Sequence, residues 1–207
     1  MFGHSIDGID VSHHQGIINW GKVAGEGVKF AFIKATDGTS FVDPKFERNW
    51  EGARSVGIPR GAYLFFRQGL DGAAQAKHFL EVAPLTAGAL LPVVDVEDFN
   101  GIGARDYVEQ LVQCVTKIKS SLKGRWPIIY SSASVWRSLG NPDDLSDAPL
   151  WVAHYTSAPK PKIPQVWESY AFWQYSESGH LAGITDGNVD FDIFAGDDDR
   201  LKTFFIA

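Results

Sequence analysis

Short runs of β-branched and aromatic residues alternate along this chain with longer stretches of helical period. Residues 28–35, Val-Lys-Phe-Ala-Phe-Ile-Lys-Ala, predict a strand, because such side chains suit a pleated surface. The same pattern predicts strands at 9–11, 60–66, 90–97, 128–130, 150–153, 171–175 and 189–194. A helix is predicted after Asp43: Asp43 caps it and Pro44 suits its first turn. Phe46, Trp50 and Ala53 then fall on one face, and Gly57 stops it. An Ala-rich helix is predicted over 71–83. The clearest helix spans 104–123, where Val108, Leu111, Val112, Val115, Ile118 and Leu122 form one stripe.

Eight strands alternating with helices predict an α/β fold with a parallel sheet covered on both faces. Eight is also the number that closes a TIM-like β/α barrel. The 207 residues fall short of the ~250 typical of that barrel. The shortfall lies after residue 140, where Pro- and Gly-rich loops such as Ala158–Pro164 leave little room for helices. No boundary, repeat or low-complexity segment divides the chain, so residues 1–207 are expected to form a single domain.

At 44% hydrophobic residues the chain is not disordered. A net charge of −6 argues against a nucleic-acid binder held by phosphate contacts. Cys114 alone forms no intrachain disulfide, and a zinc cluster is not expected. The apolar stretches are far shorter than the ~20 residues of a membrane helix. Met1–Ser5 has neither a basic region nor an apolar run, so no secretory signal is expected there.

Charge becomes informative through its placement. Asp10, Asp95 with Glu97, and Asp190 stand at or near the C-terminal ends of three predicted strands, the end where a β/α barrel builds its active site. Asp95 and Glu97, two apart on one strand, should point to the same side. Two carboxyls so close do not both ionise cheaply. One is expected to keep its proton near neutral pH while the other stays charged. Cleavage of a glycosidic bond uses such a pair: the acid protonates the leaving oxygen, and the anion stabilises an oxocarbenium-like transition state or activates the nucleophile. Asp10 and Asp190 would help hold the proton on Glu97.

A solvated loop start or half an ion pair is the plainer reading of an acidic pair. Four acids on one barrel face outweigh it. Asp192, Asp197, Asp198 and Asp199 read instead as a charged surface run. An acid cluster also suits a hard cation, and His13 and His14 lie near Asp10. However, the six histidines show no HxxxH spacing, and no metal site is expected. Ser12 has no nucleophile-elbow motif around it.

Aromatic residues gather at the same strand ends: Tyr63, Phe65, Phe66, Tyr130, Trp151, Tyr155, Trp173 and Tyr175. Trp20 and Trp50 are expected in the core. A rim of Tyr and Trp suits flat sugar faces and their hydroxyls. Tyr63, Phe65, Tyr130, Trp151, Tyr155, Trp173 and the neighbouring Gln174 are therefore the candidate substrate-binding residues. Lys34 is expected to pair with the acids.

Several segments, in order, resemble the lysozymes of glycoside hydrolase family 25, the N-acetylmuramidases. They are Gly8-Ile9-Asp10-Val11-Ser12-His13-His14-Gln15-Gly16, Ile18-Asn19-Trp20, residues 30–38, Gly61-Ala62-Tyr63, Pro92-Val93-Val94-Asp95-Val96-Glu97, residues 150–153, Phe172-Trp173-Gln174-Tyr175, and Val189-Asp190 with Phe194. The resemblance implies a flattened barrel with about five helices, whose last strands lack full helices. It implies hydrolysis of the β-1,4 bond between N-acetylmuramic acid and N-acetylglucosamine in bacterial peptidoglycan. Glu97 would be the general acid. Asp95 would orient the substrate's 2-acetamido group or stabilise charge, and Asp10 and Asp190 would complete the cluster. No cofactor is implied. The expected partner is the glycan strand, met by a monomer outside the cell or released at phage lysis, with no membrane insertion.

Two positions depart from that pattern. Leu64 stands where many relatives have His, and is expected to alter a hydrogen bond or subsite near the mouth. Asp192 stands where many have Asn, and is expected to alter only local packing. A chitinase-like glycosidase and a catalytically silent glycan-binding barrel are the competing readings.

Overall fold

The computed structural model describes residues 7–207; Met1–Ser5, read above for a secretory signal, lies outside them. One sheet contains nine strands: β1 (Gly8–Val11), β2 (Phe30–Asp37), β3 (Phe41–Val42), β4 (Arg60–Phe65), β5 (Val93–Asp95), β6 (Ile128–Ser132), β7 (Leu150–Ala153), β8 (Phe172–Gly179) and β9 (Val189–Phe194). Their order is β1-β9-β8-β7-β6-β5-β4-β2-β3, and a β1–β2 pairing closes eight of them into a barrel. β3 is the extra strand, a short antiparallel ribbon on the end of β2. The helices are α1 (Trp20–Gly25), α2 (Phe46–Ser55), α3 (Gly72–Val82), α4 (Ala104–Ser121), α5 (Ala133–Ser138) and α6 (Asp198–Lys202).

The hydrophobic pattern explains both layers of the core. Leu111, Val115 and Ile118 of the predicted stripe are fully buried on α4, joined by Tyr107 and Cys114. Inside the barrel, Phe32 of β2 stacks on Trp151 of β7 at 4.6 Å and meets Phe172 of β8 edge-on at 5.1 Å. β2 neighbours neither β7 nor β8, so these contacts cross the interior and fill it. Trp20 and Trp50 are buried, as expected.

The second half does lack full helices. Residues 154–171 connect β7 to β8 without one. The expected all-parallel sheet is incorrect in one strand: β9 runs antiparallel to both β8 and β1. The physical reason is length. The connection 180–188 is shorter than the dozen or so residues that a parallel crossover requires.

Three further expectations change. The strand predicted at 90–97 is confined to Val93–Asp95, because Leu90 instead bridges Phe205 near the C-terminus and Glu97 lies beyond the ladder. Asp43 does not cap α2, whose N-cap is Lys45 with no side-chain bond. The Asp43 carboxylate is buried and accepts instead from His13 N at 2.9 Å, His13 Nδ1 at 2.7 Å and Lys45 N at 2.9 Å. Asp192 is not on the surface: it is 0% exposed. Asp197 and Asp199 do lie outside, where Asp197 caps α6 and Asp199 pairs with Lys202.

Candidate active site

Strand direction delivers the acids to one end of the barrel. Asp10 sits near the end of β1, and Asp95 is the last residue of β5. Asp190 is at the start of β9, not near its end as expected, and reaches the same mouth because β9 is reversed. It stands directly opposite Asp10 in the β1–β9 register. These three and Glu97 line one cavity of about 310 Å³, with Lys34, Tyr63, Phe65, Tyr130, Trp151, Tyr155, Gln174 and Glu177 among its other walls.

Gln174 is the hub of the floor. Its Nε2 donates to Asp10 Oδ2 at 2.7 Å, while its Oε1 accepts the hydroxyls of Tyr130 and Tyr155, each at 2.8 Å. Two O–H donors on one amide oxygen fix which end of the amide faces Asp10. Trp151 donates its indole N–H to Asp192 Oδ1 at 2.8 Å. The charges of Asp190 and Asp192 both act on Asp10.

The cations lie on the other side. Lys34 Nζ is 3.1 Å from Asp37 Oδ2, and Arg67 grips the same carboxylate at 2.6 and 2.8 Å. Both cations lie over the Phe65 ring, at 4.4 and 4.2 Å from its centroid. Asp37 is partly desolvated, but the hydrogen bonds from Arg67 and Lys34 hold its pKa below the usual carboxylate range.

Asp10, Asp95, Glu97 and Asp190 are shifted the other way. Burial raises Asp95 well above the usual range, and the nearby Glu97 adds to this against the opposing pull of Lys34. Desolvation also raises Glu97; Lys34 draws it down and Asp190 pushes it up. Asp10 is raised well above its ordinary value by burial, then by the charges of Asp190 and Asp192. Asp190 is pushed up to about 6 by burial. Asp95 and Glu97 interact, so their protons leave as a pair. Asp95 is only 7% exposed and its Oδ1 has no hydrogen-bond partner. Glu97 is the exposed member, so it is the one placed to hand a proton to an incoming group.

Of the candidate site residues, all but Trp173 line the cavity. Trp173 is 1% exposed and donates its indole N–H to His154 O at 2.8 Å. It pairs in register with Val152 of β7 and precedes Gln174 on β8, and alternation along β8 turns it from the mouth when Gln174 faces in. Leu64 is likewise fully buried, between Tyr63 and Phe65 that line the cavity. It does not form part of the mouth, contrary to expectation. Two more acids stand near the site, outside the predicted set. Asp192 lies two residues beyond Asp190, a strand period that could have placed it beside the cluster. Glu177 lines the cavity from within an irregular stretch of β8, past the Gln174/Ser176 shift and inside the Ser176/Gly179 one, which resets the alternation and hides it from pattern reading. Among the described residues, no group of three or more His, Cys, Asp or Glu is disposed to hold a metal ion.

The family model for glycosyl hydrolases family 25 matches residues 9–184. The chain is 37% identical to Lysozyme M1 of Streptomyces globisporus, over 95% of this chain and 70% of that protein. It is also 37% identical to the protein YegX of Escherichia coli K12, over 97% of this chain and 74% of YegX. Among solved structures, the bacterial lysozyme of Streptomyces coelicolor superimposes with a TM-score of 0.90 at 34% identity, covering 98% of this chain and 97% of that one. The barrel, the acids at its mouth and these likenesses agree: the chain belongs to family 25 of the glycosyl hydrolases.

Proposed function

We propose that this chain is a lysozyme: a glycoside hydrolase that cleaves the β-1,4 bond between N-acetylmuramic acid and N-acetylglucosamine in peptidoglycan. The observation that carries this reading is the pair Asp95 and Glu97 in one cavity, one carboxyl buried and the other exposed at the mouth. Glu97 is the general acid. It gives its proton to the glycosidic oxygen as the bond to C1 breaks, and the sugar takes on oxocarbenium character. Asp95 steadies the positive charge that develops, or orients the substrate's 2-acetamido group so that its carbonyl oxygen bonds to C1. Water then adds at C1, and its proton returns to Glu97. The charge of Asp190 favours the protonated form of Glu97 before the reaction.

Tyr63, Trp151 and Tyr155 supply aromatic walls for the sugar rings. Trp173 has no part in them. Residues 1–207 act as one catalytic domain and as a monomer. The enzyme meets the wall from outside the cell, after secretion or after release at phage lysis. Among the described residues, no helix is long and apolar enough to cross a membrane.

Mass analysis of products from purified peptidoglycan tests the proposal. New reducing muramic acid ends are expected from the native enzyme. Glu97→Gln should lose about 10²–10⁴-fold in rate, the usual contribution of a general acid, while melting normally. Near-native turnover in that variant would remove Glu97 from its role. Release from chitin alone would identify a chitinase, and glycan binding without release a silent barrel.

A further inference from the structure

The rim of the cavity beside His14 is fixed more firmly than an exposed edge requires. The turn His13–Gln15 is tied at both ends: Ser12 N donates to Gln15 Oε1 at 2.8 Å, and Gln15 Nε2 donates to Asn188 O at 2.8 Å. The buried Asp43 carboxylate accepts from the main-chain N–H groups of His13 and Lys45, which already joins this turn to the loop before α2. It also accepts from His13 Nδ1 at 2.7 Å, and so pins a ring that is 31% exposed. A carboxylate only accepts, so Nδ1 carries a hydrogen. His13 Nε2 has no hydrogen-bond partner among the described residues. His14, which lines the cavity, packs on His13 with ring centroids 4.0 Å apart. Phe41 of β3 lies 5.8 Å from the same His13 ring. Its carbonyl accepts from His78 Nε2 of α3 at 3.1 Å, which ties the short ribbon down. The rings of His14, His13 and Phe41 thus lead from the cavity wall onto the surface.

We propose that His13 and Phe41 form an outer subsite for the glycan strand, in which their rings meet the face of a sugar beyond the scissile pair and His13 Nε2 bonds one of its hydroxyls. The choice of ligand rests on the lysozyme reading. A polymer cut inside the cavity has to leave it across the rim. Of the Phe, Tyr and Trp side chains among the described residues, Tyr155 and Phe41 are the exposed ones. Tyr155 already lines the cavity, and Phe41 continues from it through the two imidazoles. A single exposed apolar residue is ordinary. Here its neighbours hold it in place, and a ligand seated on fixed rings has little side-chain freedom left to order, which favours binding on a shallow surface. A sugar suits this surface better than a stem peptide does, because a pyranose has an apolar C–H face edged by hydroxyls, and the shelf offers aromatic faces with one free ring nitrogen.

Glycan strands stripped of their stem peptides are the probe, supplied as long strands and as the shortest oligosaccharide that the native chain cleaves. The readout is the ratio of kcat/KM on the long strands to kcat/KM on the short one. In Phe41→Ala and in His13→Ala this ratio should fall about 3- to 10-fold, the size of one lost aromatic contact, and through KM rather than kcat. Phe41→Trp, which keeps a flat ring, should hold the native ratio. A ratio that stays native in Phe41→Ala, whether both substrates suffer equally or neither does, would overturn the proposal. A loss seen only on strands that still carry their stem peptides would make the peptide the occupant and overturn it as well. Binding of stripped long strands by the Glu97→Gln chain is the second measurement, and adding Phe41→Ala should raise its Kd by the same factor. If the native chain releases no muramic ends, the lysozyme reading fails, while this binding comparison still decides the subsite.

Discussion

Gln174 and Asp10, on strands separated by β9, are joined by a 2.7 Å hydrogen bond from the Gln174 amide to the Asp10 carboxyl. The amide has no freedom to flip, because Tyr130 and Tyr155 both donate to its oxygen. Gln174→Leu would strand two hydroxyls and remove a donor from Asp10. Leaving a buried polar group unsatisfied costs ~1–3 kcal/mol, and Tyr130 is nearly buried while Tyr155 can turn to water. A stability loss of about 2–4 kcal/mol is expected on this basis. Turnover should drop at least tenfold through the displaced Asp10, the equivalent of about 1.4 kcal/mol in the barrier. Urea unfolding and peptidoglycan turnover measure the two effects. Native stability in Gln174→Leu would mean that the amide is not the hub of the floor.

Lys34 is the cation with the greatest reach over the acid pair. It lowers the pKa of both Asp95 and Glu97 against the desolvation that raises them. Replacing it with Met keeps the stem and removes the charge. Both carboxyl pKa values should then rise, and both limbs of the pH–rate profile should move to higher pH together. Asp37 keeps its bidentate partner Arg67, so the loop stays anchored. A profile that narrows or stays in place would show that Lys34 does not tune the pair.

Stability should also depend on pH, and with an unusual sign for carboxylates. Asp10, Asp95, Asp190, Asp192 and Glu97 all have folded pKa values above their ordinary ones. The fold therefore binds more protons than the unfolded chain does. The contribution is fully present below the unfolded values near ~4 and is lost as pH rises through the folded ones. For Asp190 the folded value is about 6. That one group is worth at most ~3 kcal/mol between the two limits, and less with solvent screening. Asp37 works in the opposite direction. Its lowered pKa makes its pairs with Arg67 and Lys34 stabilising above ~4 and weaker on acidification. Maximum stability is expected near ~pH 5, between those two effects. Chemical denaturation from pH 3 to 9 checks it, and a curve rising steadily to pH 8 would contradict the raised acids.

The strands were legible because β-branched and aromatic runs announce buried sheet, and α4 because its stripe repeats at helical period. Direction was less so. Hydrophobic pattern carries no sense of strand direction, so it leads Asp190 to the right mouth from the wrong end of its strand. The resemblance to family 25 supplied the roles of Glu97 and Asp95; spacing alone supplied only their proximity. Aromatic content points Trp173 at the cavity, but alternation forbids it, since Gln174 beside it and Trp173 cannot both face inward. Charge groups Asp192 with Asp197–Asp199, whereas its two-residue period with Asp190 puts it beside the cluster. Glu177 had no such guide, since it lies past irregular pairing in β8.

A contact far from the chemistry separates folding from catalysis. Gly72, the first residue of α3, is buried and donates its N–H to Gln110 Oε1 at 2.9 Å, where α3 meets α4. A Cβ at this position would overlap the backbone carbonyl of Gln110. The obstacle is main chain inside α4, which cannot rotate aside as a side-chain tip would. Gly72→Ala must therefore shift one helix against the other, and overpacking of this kind costs ~1–3 kcal/mol. Neither helix contributes a residue to the cavity. The variant should melt lower by several degrees while its pH–rate profile keeps the native midpoints. Thermal unfolding and the pH dependence of peptidoglycan turnover check both parts. An unchanged melting temperature would mean that the helices close with more slack than the Gly72–Gln110 approach allows, and shifted midpoints would mean that α3–α4 packing reaches the acid pair through β4 and β5.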